Sequence, residues 1–138
     1  MGKTDNFRRQ HKEILSVAKT ISDNLDEKKL AQDSGYVRSL LSDLTGKVKV
    51  HLKMEDDGIY PILIDSNNDE VKTTAQQFSD EMGGLSQAYV DFVEKWPTPL
   101  SIQQKPAEFI SEITGIFNAL SARIEKEDNI LYEIFDKV

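Results

Sequence analysis

Four stretches of the chain carry apolar side chains at steps of three and four residues, the spacing that lines one face of an α-helix. The first runs Phe7, His11, Ile14, Ala18, Ile21, Leu25, and the second Val37, Leu41, Leu44, Val48, His51, Glu55, Ile59. The third runs Val71, Ala75, Phe78, Met82, Leu85, Tyr89, Phe92, Trp96. The fourth runs Ile113, Ile116, Leu120, Arg123, Glu127, Ile130, Ile134. No segment alternates with the period of two that a half-buried strand needs. The pattern predicts an all-α fold of four amphipathic helices.

The joints between the stripes are rich in helix breakers. Asp5 is placed to cap the first helix, which should end near residues 24–27, before the segment LAQDSG. The second helix should begin near residues 34–36 and end or kink at Pro61, because proline lacks a donor and clashes with the preceding turn. DSNND (65–69) reads as a turn with N-cap candidates for the third helix. Gly83 and Gly84 cost that helix about 1–2 kcal/mol relative to alanine, so they suggest close packing or open space. Trp96 and Pro97 close it, and PTPLSIQQKP is the longest connection. Pro106 suits the first turn of a fourth helix that continues nearly to Val138. Four helices with short joints predict an up-down-up-down antiparallel four-helix bundle, one domain over residues 1–138.

Five ionisable side chains interrupt these stripes: His11, His51, Glu55, Arg123 and Glu127. A buried charge is costly unless it is paired or bound to a metal. Antiparallel packing, at about 1.5 Å rise per residue, brings all five and Met82 to within one or two turns of a common level. Two carboxylates and two imidazoles form an N/O ligand set suited to iron, manganese or zinc. Each residue also has a plain structural reading. A single histidine in a stripe is more often a satisfied core residue than a ligand. Arg123 and Glu127 have the (i, i+4) spacing of an intrahelical ion pair. Met82 reads as core filling, and Tyr60 and Tyr132 as amphipathic residues at the bundle ends.

Composition narrows the function classes. Seventeen basic residues against 24 acidic ones leave a net charge of −7, which argues against general nucleic-acid or anionic-membrane binding. A minor basic patch surrounds Lys47, Lys49 and Lys53. The absence of cysteine removes disulfides, thiolate zinc sites, iron–sulfur clusters and thiol nucleophiles together. The polar start MGKTDNFRRQHKE has no apolar signal core, and no apolar run approaches the roughly 20 residues of a membrane span, so a cytoplasmic protein is expected. Gly2 is followed by Asn at position 6, where myristoylation needs Ser or Thr. There is no glycine-rich phosphate loop and no Ser/His/Asp triad. Both histidines belong to the one cluster, so a separate histidine-based active site is excluded.

The segments FRRQHKEIL (7–15), HLKMEDDGIYPIL (51–63), EMGGL (81–85) and RIEKEDNILYEIF (123–135) touch all four predicted helices. In them the chain resembles the hemerythrin-like family, the HHE cation-binding bundles. That resemblance implies a non-haem di-iron centre with one histidine from each helix and two bridging carboxylates. Carried over, the metal ligands are His11, His51, Glu55 and Glu127. Two positions depart from the pattern: Met82 and Arg123 stand where ligand histidines are expected. Arginine has no lone pair to give a metal, and methionine is a weak ligand for hard iron. The iron cofactor should therefore be sub-stoichiometric relative to a full pair, or absent. The Arg123 fork is expected to bind Glu55 or Glu127 bidentately. Two readings stay open. One is an iron-binding protein with a reduced centre that senses or carries oxygen, nitric oxide or iron. The other is a metal-free bundle with an Arg–Glu core pair, acting through protein contact. An iron-dependent redox or repair enzyme ranks below both. A small diatomic ligand is the partner the first implies; no nucleic acid or membrane partner is expected.

Overall fold

In the computed structural model the described residues are 2–138; Met1, part of the expected domain 1–138, lies outside them. In chain order the helices are α1 (Asp5–Ser22), α2 (Glu27–Gln32), α3 (Gly35–Gly58), α4 (Tyr60–Ile64), α5 (Asp69–Lys95), α6 (Pro99–Gln104), α7 (Pro106–Lys126) and α8 (Tyr132–Asp136), with a π-helical turn at Glu127–Leu131 between the last two. The four apolar stripes are the interior faces of α1, α3, α5 and α7. No strand occurs among the described residues. Among the same residues, no helix is long and apolar enough to cross a membrane.

Local chemistry explains most boundaries. Asn68 caps α5 by accepting from the backbone N–H groups of Glu70 and Val71. Pro106 opens α7. Pro61 stands in the first turn of α4, just past the break at Ile59. Two joints read as breaker-rich connections contain short helices instead, each with its own cap. Asp26 accepts from the Lys29 N–H at the start of α2, and Thr98 and Ser101 form a reciprocal capping box on α6. Asp5 does not cap α1. Thr4 holds the N-cap position, and its hydroxyl donates to Asp136 Oδ1 at 3.0 Å, while Asp5 accepts from the Gly2 N–H.

The buried apolar residues form two clusters. The larger includes Ile14, Ile21, Leu41, Leu44, Phe92 and Phe109. The smaller includes Phe7, Ile59, Leu63, Phe78, Leu131 and Phe135. Every long stripe crosses from one cluster to the other through polar or soft side chains: His11 between Phe7 and Ile14, His51 and Glu55 between Val48 and Ile59, Met82 between Phe78 and Tyr89, and Arg123 and Glu127 between Leu120 and Leu131. The polar level is thus a layer between two apolar ones. The Phe7 ring lies 3.8 Å from the point a side chain on Gly58 would occupy, so the start of α1 lies beside the end of α3.

The fourth stripe departs from expectation beyond Glu127. Ile130, expected inside, is 44% exposed, whereas Leu131, Tyr132 and Phe135 are buried. The π turn causes this. Its i→i+5 bonding adds one residue to the turn, so the interior face advances by one position.

Candidate metal centre

His11, His51, Glu55 and Glu127 are all buried, and one ligand atom from each lies within 4.8 Å of the others. His11 Nε2 is 2.8 Å from Glu127 Oε1 and 3.0 Å from His51 Nε2. His51 Nε2 is 3.4 Å from Glu55 Oε2 and 3.6 Å from Glu127 Oε1. α1 supplies the first histidine, α3 the His51/Glu55 pair one turn apart, and the π turn supplies Glu127.

Each imidazole is oriented from behind. His11 Nδ1 donates to Asp128 Oδ1 at 2.9 Å. His51 Nδ1 donates to Gln10 Oε1 at 2.7 Å, and the Gln10 amide is in turn held at 2.8 Å by Met54 Sδ. These partners hold Nε2 of both rings inward, where each imidazole presents a lone pair to a metal once that nitrogen gives up its proton. Sequence reading missed both supports. Gln10 adjoins His11 and Asp128 adjoins Glu127, but neither lies on an apolar stripe.

The interior of this cluster is rich in lone pairs and short of protons. Glu55 Oε1 is buried without a hydrogen-bond partner, a condition that normally costs about 1–3 kcal/mol. Burial pushes the Glu55 carboxyl up, and the Glu127 charge adds to that, while the bond to His51 pulls the other way. Burial likewise opposes ionisation of Glu127, but bonds from His11 and His51 outweigh it and hold this carboxyl far below the usual range. For His51 burial disfavours the charge, yet bonds to Glu127 and Glu55 raise it to about 9. At neutral pH a proton on His51 therefore occupies the position that a cation would take. The donor set and the orphaned Glu55 oxygen fit one metal ion.

Tyr132 was expected at a bundle end, and the structure corrects this. Its hydroxyl donates to Glu55 Oε2 at 2.8 Å and lies 3.0 Å from His11 Nε2 and 3.3 Å from His51 Nε2. Its ring stacks on His11. Burial and the charges of Glu127 and Glu55 push this phenol up. Tyr60 is also interior rather than terminal: it accepts from Arg123 at 2.9 Å. The signal for both was present. Each directly follows an apolar residue five positions after a buried glutamate, in GIY (58–60) after Glu55 and ILY (130–132) after Glu127, but Tyr132 falls off the regular stripe and needs the π turn to face inward.

Arg123 is buried as expected, but its fork does not clamp a carboxylate. Nε lies 3.4 Å from Glu127 Oε2. The Nη2 group donates to the Phe78 carbonyl at 2.6 Å and to Tyr60, and the guanidinium sits 4.5 Å from the centre of the Phe78 ring. Nη1 has no hydrogen-bond partner and is 3.5 Å from Glu81 Oε2. Glu55 turns instead to His51 and Tyr132. Bidentate pairing fails because α5 supplies a carbonyl acceptor, and that edge of the fork takes it. Met82 is buried and lines a cavity of about 270 Å³ together with Leu52, Tyr60 and Gly83. A side chain on Gly83 or Gly84 would meet nothing within 4 Å, so the glycine pair marks open space rather than close packing.

A family model described as the hemerythrin HHE cation binding domain matches residues 2–135. No curated protein and no solved structure matches the chain.

Proposed function

The chain belongs to the hemerythrin HHE cation-binding domain family, and from that membership we propose that it is a metal-binding module with a reduced centre. The module is an up-down-up-down four-helix bundle acting as one domain. His11, His51, Glu55 and Glu127 hold a single iron ion, and Met82 and Arg123 stand where a second ion would need its histidines. The observation that carries the reading is the convergence of four buried ligand atoms within 4.8 Å, with both Nε2 atoms turned inward by Asp128 and Gln10. When bound, iron supplies a Lewis-acidic and redox-active point suited to sensing or carrying a small diatomic ligand, or to sensing iron itself.

The protein's own residues do the remaining work. The carboxylates of Glu55 and Glu127 neutralise the ion. Gln10 and Asp128 hold the imidazoles in register. Phe7 packs edge-on against His51 and keeps bulk water from that side. Binding displaces the His51 proton, since an imidazole must be neutral to act as a ligand. Arg123 supplies a permanent charge beside Glu127 and disfavours a second cation.

Metal analysis of protein produced with iron, followed by titration of the stripped protein with zinc and ferrous ion at pH 8, tests this. About one ion per chain is expected. Two fully loaded ions would overturn the single-ion reading. No binding of either metal would favour the metal-free alternative, in which Arg123 and the His51 proton neutralise the core and the bundle acts through protein contact.

A further inference from the structure

The most unusual group in the polar layer is one that the ligand set above does not use. Tyr132 is fully buried, and its hydroxyl oxygen lies 3.0 and 3.3 Å from the two inward Nε2 atoms and 2.8 Å from Glu55 Oε2. Adjacent donors around an ion, at metal–ligand distances near 2.1 Å and angles near 90°, stand about 3 Å apart. The phenol oxygen therefore already sits at the spacing of a neighbouring vertex of the same coordination shell. A purely supporting hydrogen bond to Glu55 would not require it to approach both nitrogens as well.

Resting on the single-ion reading, we propose that Tyr132 is itself a ligand, its phenolate oxygen joining His11, His51, Glu55 and Glu127 around one ferric ion. On binding, the O–H bond breaks, the proton leaves to solvent, and an oxygen lone pair forms the iron–oxygen bond; no electron is transferred. The charges support a trivalent ion. Two carboxylates and one phenolate match three positive charges, and Arg123 lies at the edge of the layer between Glu127 Oε2 and Glu81. Hard oxygen donors favour hard cations, so the phenolate makes the centre selective for ferric ion over zinc or ferrous ion. The π turn is the device that brings it there. With regular α-helical winding after Glu127, Tyr132 would not share the inward face.

The experiment compares wild type, Tyr132→Phe and Tyr60→Phe, each stripped and then titrated with ferric citrate and with zinc. Wild type and Tyr60→Phe should turn coloured with ferric ion through phenolate-to-iron charge transfer. Tyr132→Phe should remain without that band. Its ferric affinity should fall at least about a hundredfold while zinc affinity changes less than about threefold, since loss of a merely supporting partner lowers metal affinity about 10–100-fold without regard to the metal's charge. Wild type should also release one more proton per ferric ion than Tyr132→Phe. Phenylalanine preserves the ring stacked on His11, and zinc binding reports an intact site. Colourless ferric binding by wild type, or an equal loss for zinc and ferric ion in Tyr132→Phe, would overturn the ligand assignment and leave the metal-centre reading standing. Failure of wild type to bind either metal would instead overturn the metal-centre reading.

Discussion

Glu127 has one oxygen on each side of a divided polar layer. Its Oε1 faces the histidines, 2.8 Å from His11, and its Oε2 faces Arg123 at 3.4 Å. On the α1/α3 side lie the proposed metal ligands and the groups that orient them: His11, His51, Glu55, Gln10 and Tyr132. On the α5/α7 side the groups are a guanidinium, a thioether, a backbone carbonyl and Tyr60. Both sides meet the same requirement, which is to neutralise buried carboxylate. The first does so with something exchangeable, a proton or, on the proposed reading, a metal ion. The second does so with a charge that cannot leave. A fixed cation can thus neutralise a buried carboxylate on one side of the layer while the other side stays open to an exchangeable one. Because that cation makes its own bonds to Phe78 and Tyr60, it also becomes part of the fold.

The strongest way to break this contrast is to make both sides alike. Replacing Met82 and Arg123 together with histidine removes the fixed charge and adds two neutral donors. Metal content should rise from about one ion per chain to about two. Unchanged stoichiometry by elemental analysis would mean that α5 and α7 do not bound a second ion position.

Removing only the fixed charge should cost stability. In metal-free protein Arg123→Leu leaves the Phe78 carbonyl, the Tyr60 hydroxyl and Glu127 Oε2 without their cation, and loss of one partner of a buried pair costs about 3–5 kcal/mol. Urea melts should show that loss at neutral pH, with partial recovery on adding zinc. Glu81→Gln should stay within about 0.5 kcal/mol, because that side chain is largely exposed and exposed ion pairs contribute little. Equal effects of the two substitutions would erase the distinction between a structural and an incidental charge.

The exchangeable side should answer to pH. The His51 pKa is raised from 6.5 to about 9, so its contribution is fully present below pH 6.5 and is lost as pH rises through about 9. A shift of that size is worth about 3 kcal/mol. Glu127 is lowered, so its contribution is present above about 4.5 and is lost as pH falls. Metal-free protein should be most stable between these limits. Zinc affinity should move the other way across the same window, rising about tenfold per pH unit from 6 to 8 as the displaced His51 proton becomes easier to remove. Flat zinc affinity would show that His51 is already neutral.

The smallest expected effect concerns the supports. Gln10→Ala and Asp128→Ala should each weaken zinc binding about 10–100-fold, while Glu81→Gln on the other side should leave it within about twofold. Isothermal titration separates these outcomes. Loss of affinity in Glu81→Gln alone would place the ion on the α5/α7 side.

The apolar period and the capping residues were sufficient to predict four long helices, because both act over one or two turns and depend little on distant contacts. They also placed His11, His51, Glu55, Met82, Arg123 and Glu127 on interior faces, all of which are buried. That Arg123 cannot serve as a metal ligand followed from residue identity alone, since arginine has no lone pair to give. The partners those side chains chose did not follow. Arg123 was free to grip a carboxylate until α5 presented the Phe78 carbonyl. Beyond Glu127 the regular period put Ile130 inside, whereas the π turn buried Leu131 and carried Tyr132 to the histidines. A π turn adds one residue at local cost and is repaid only by contacts across the bundle. Its register, and with it the tyrosine, Asp128 and the shape of the site, was decided by the tertiary structure.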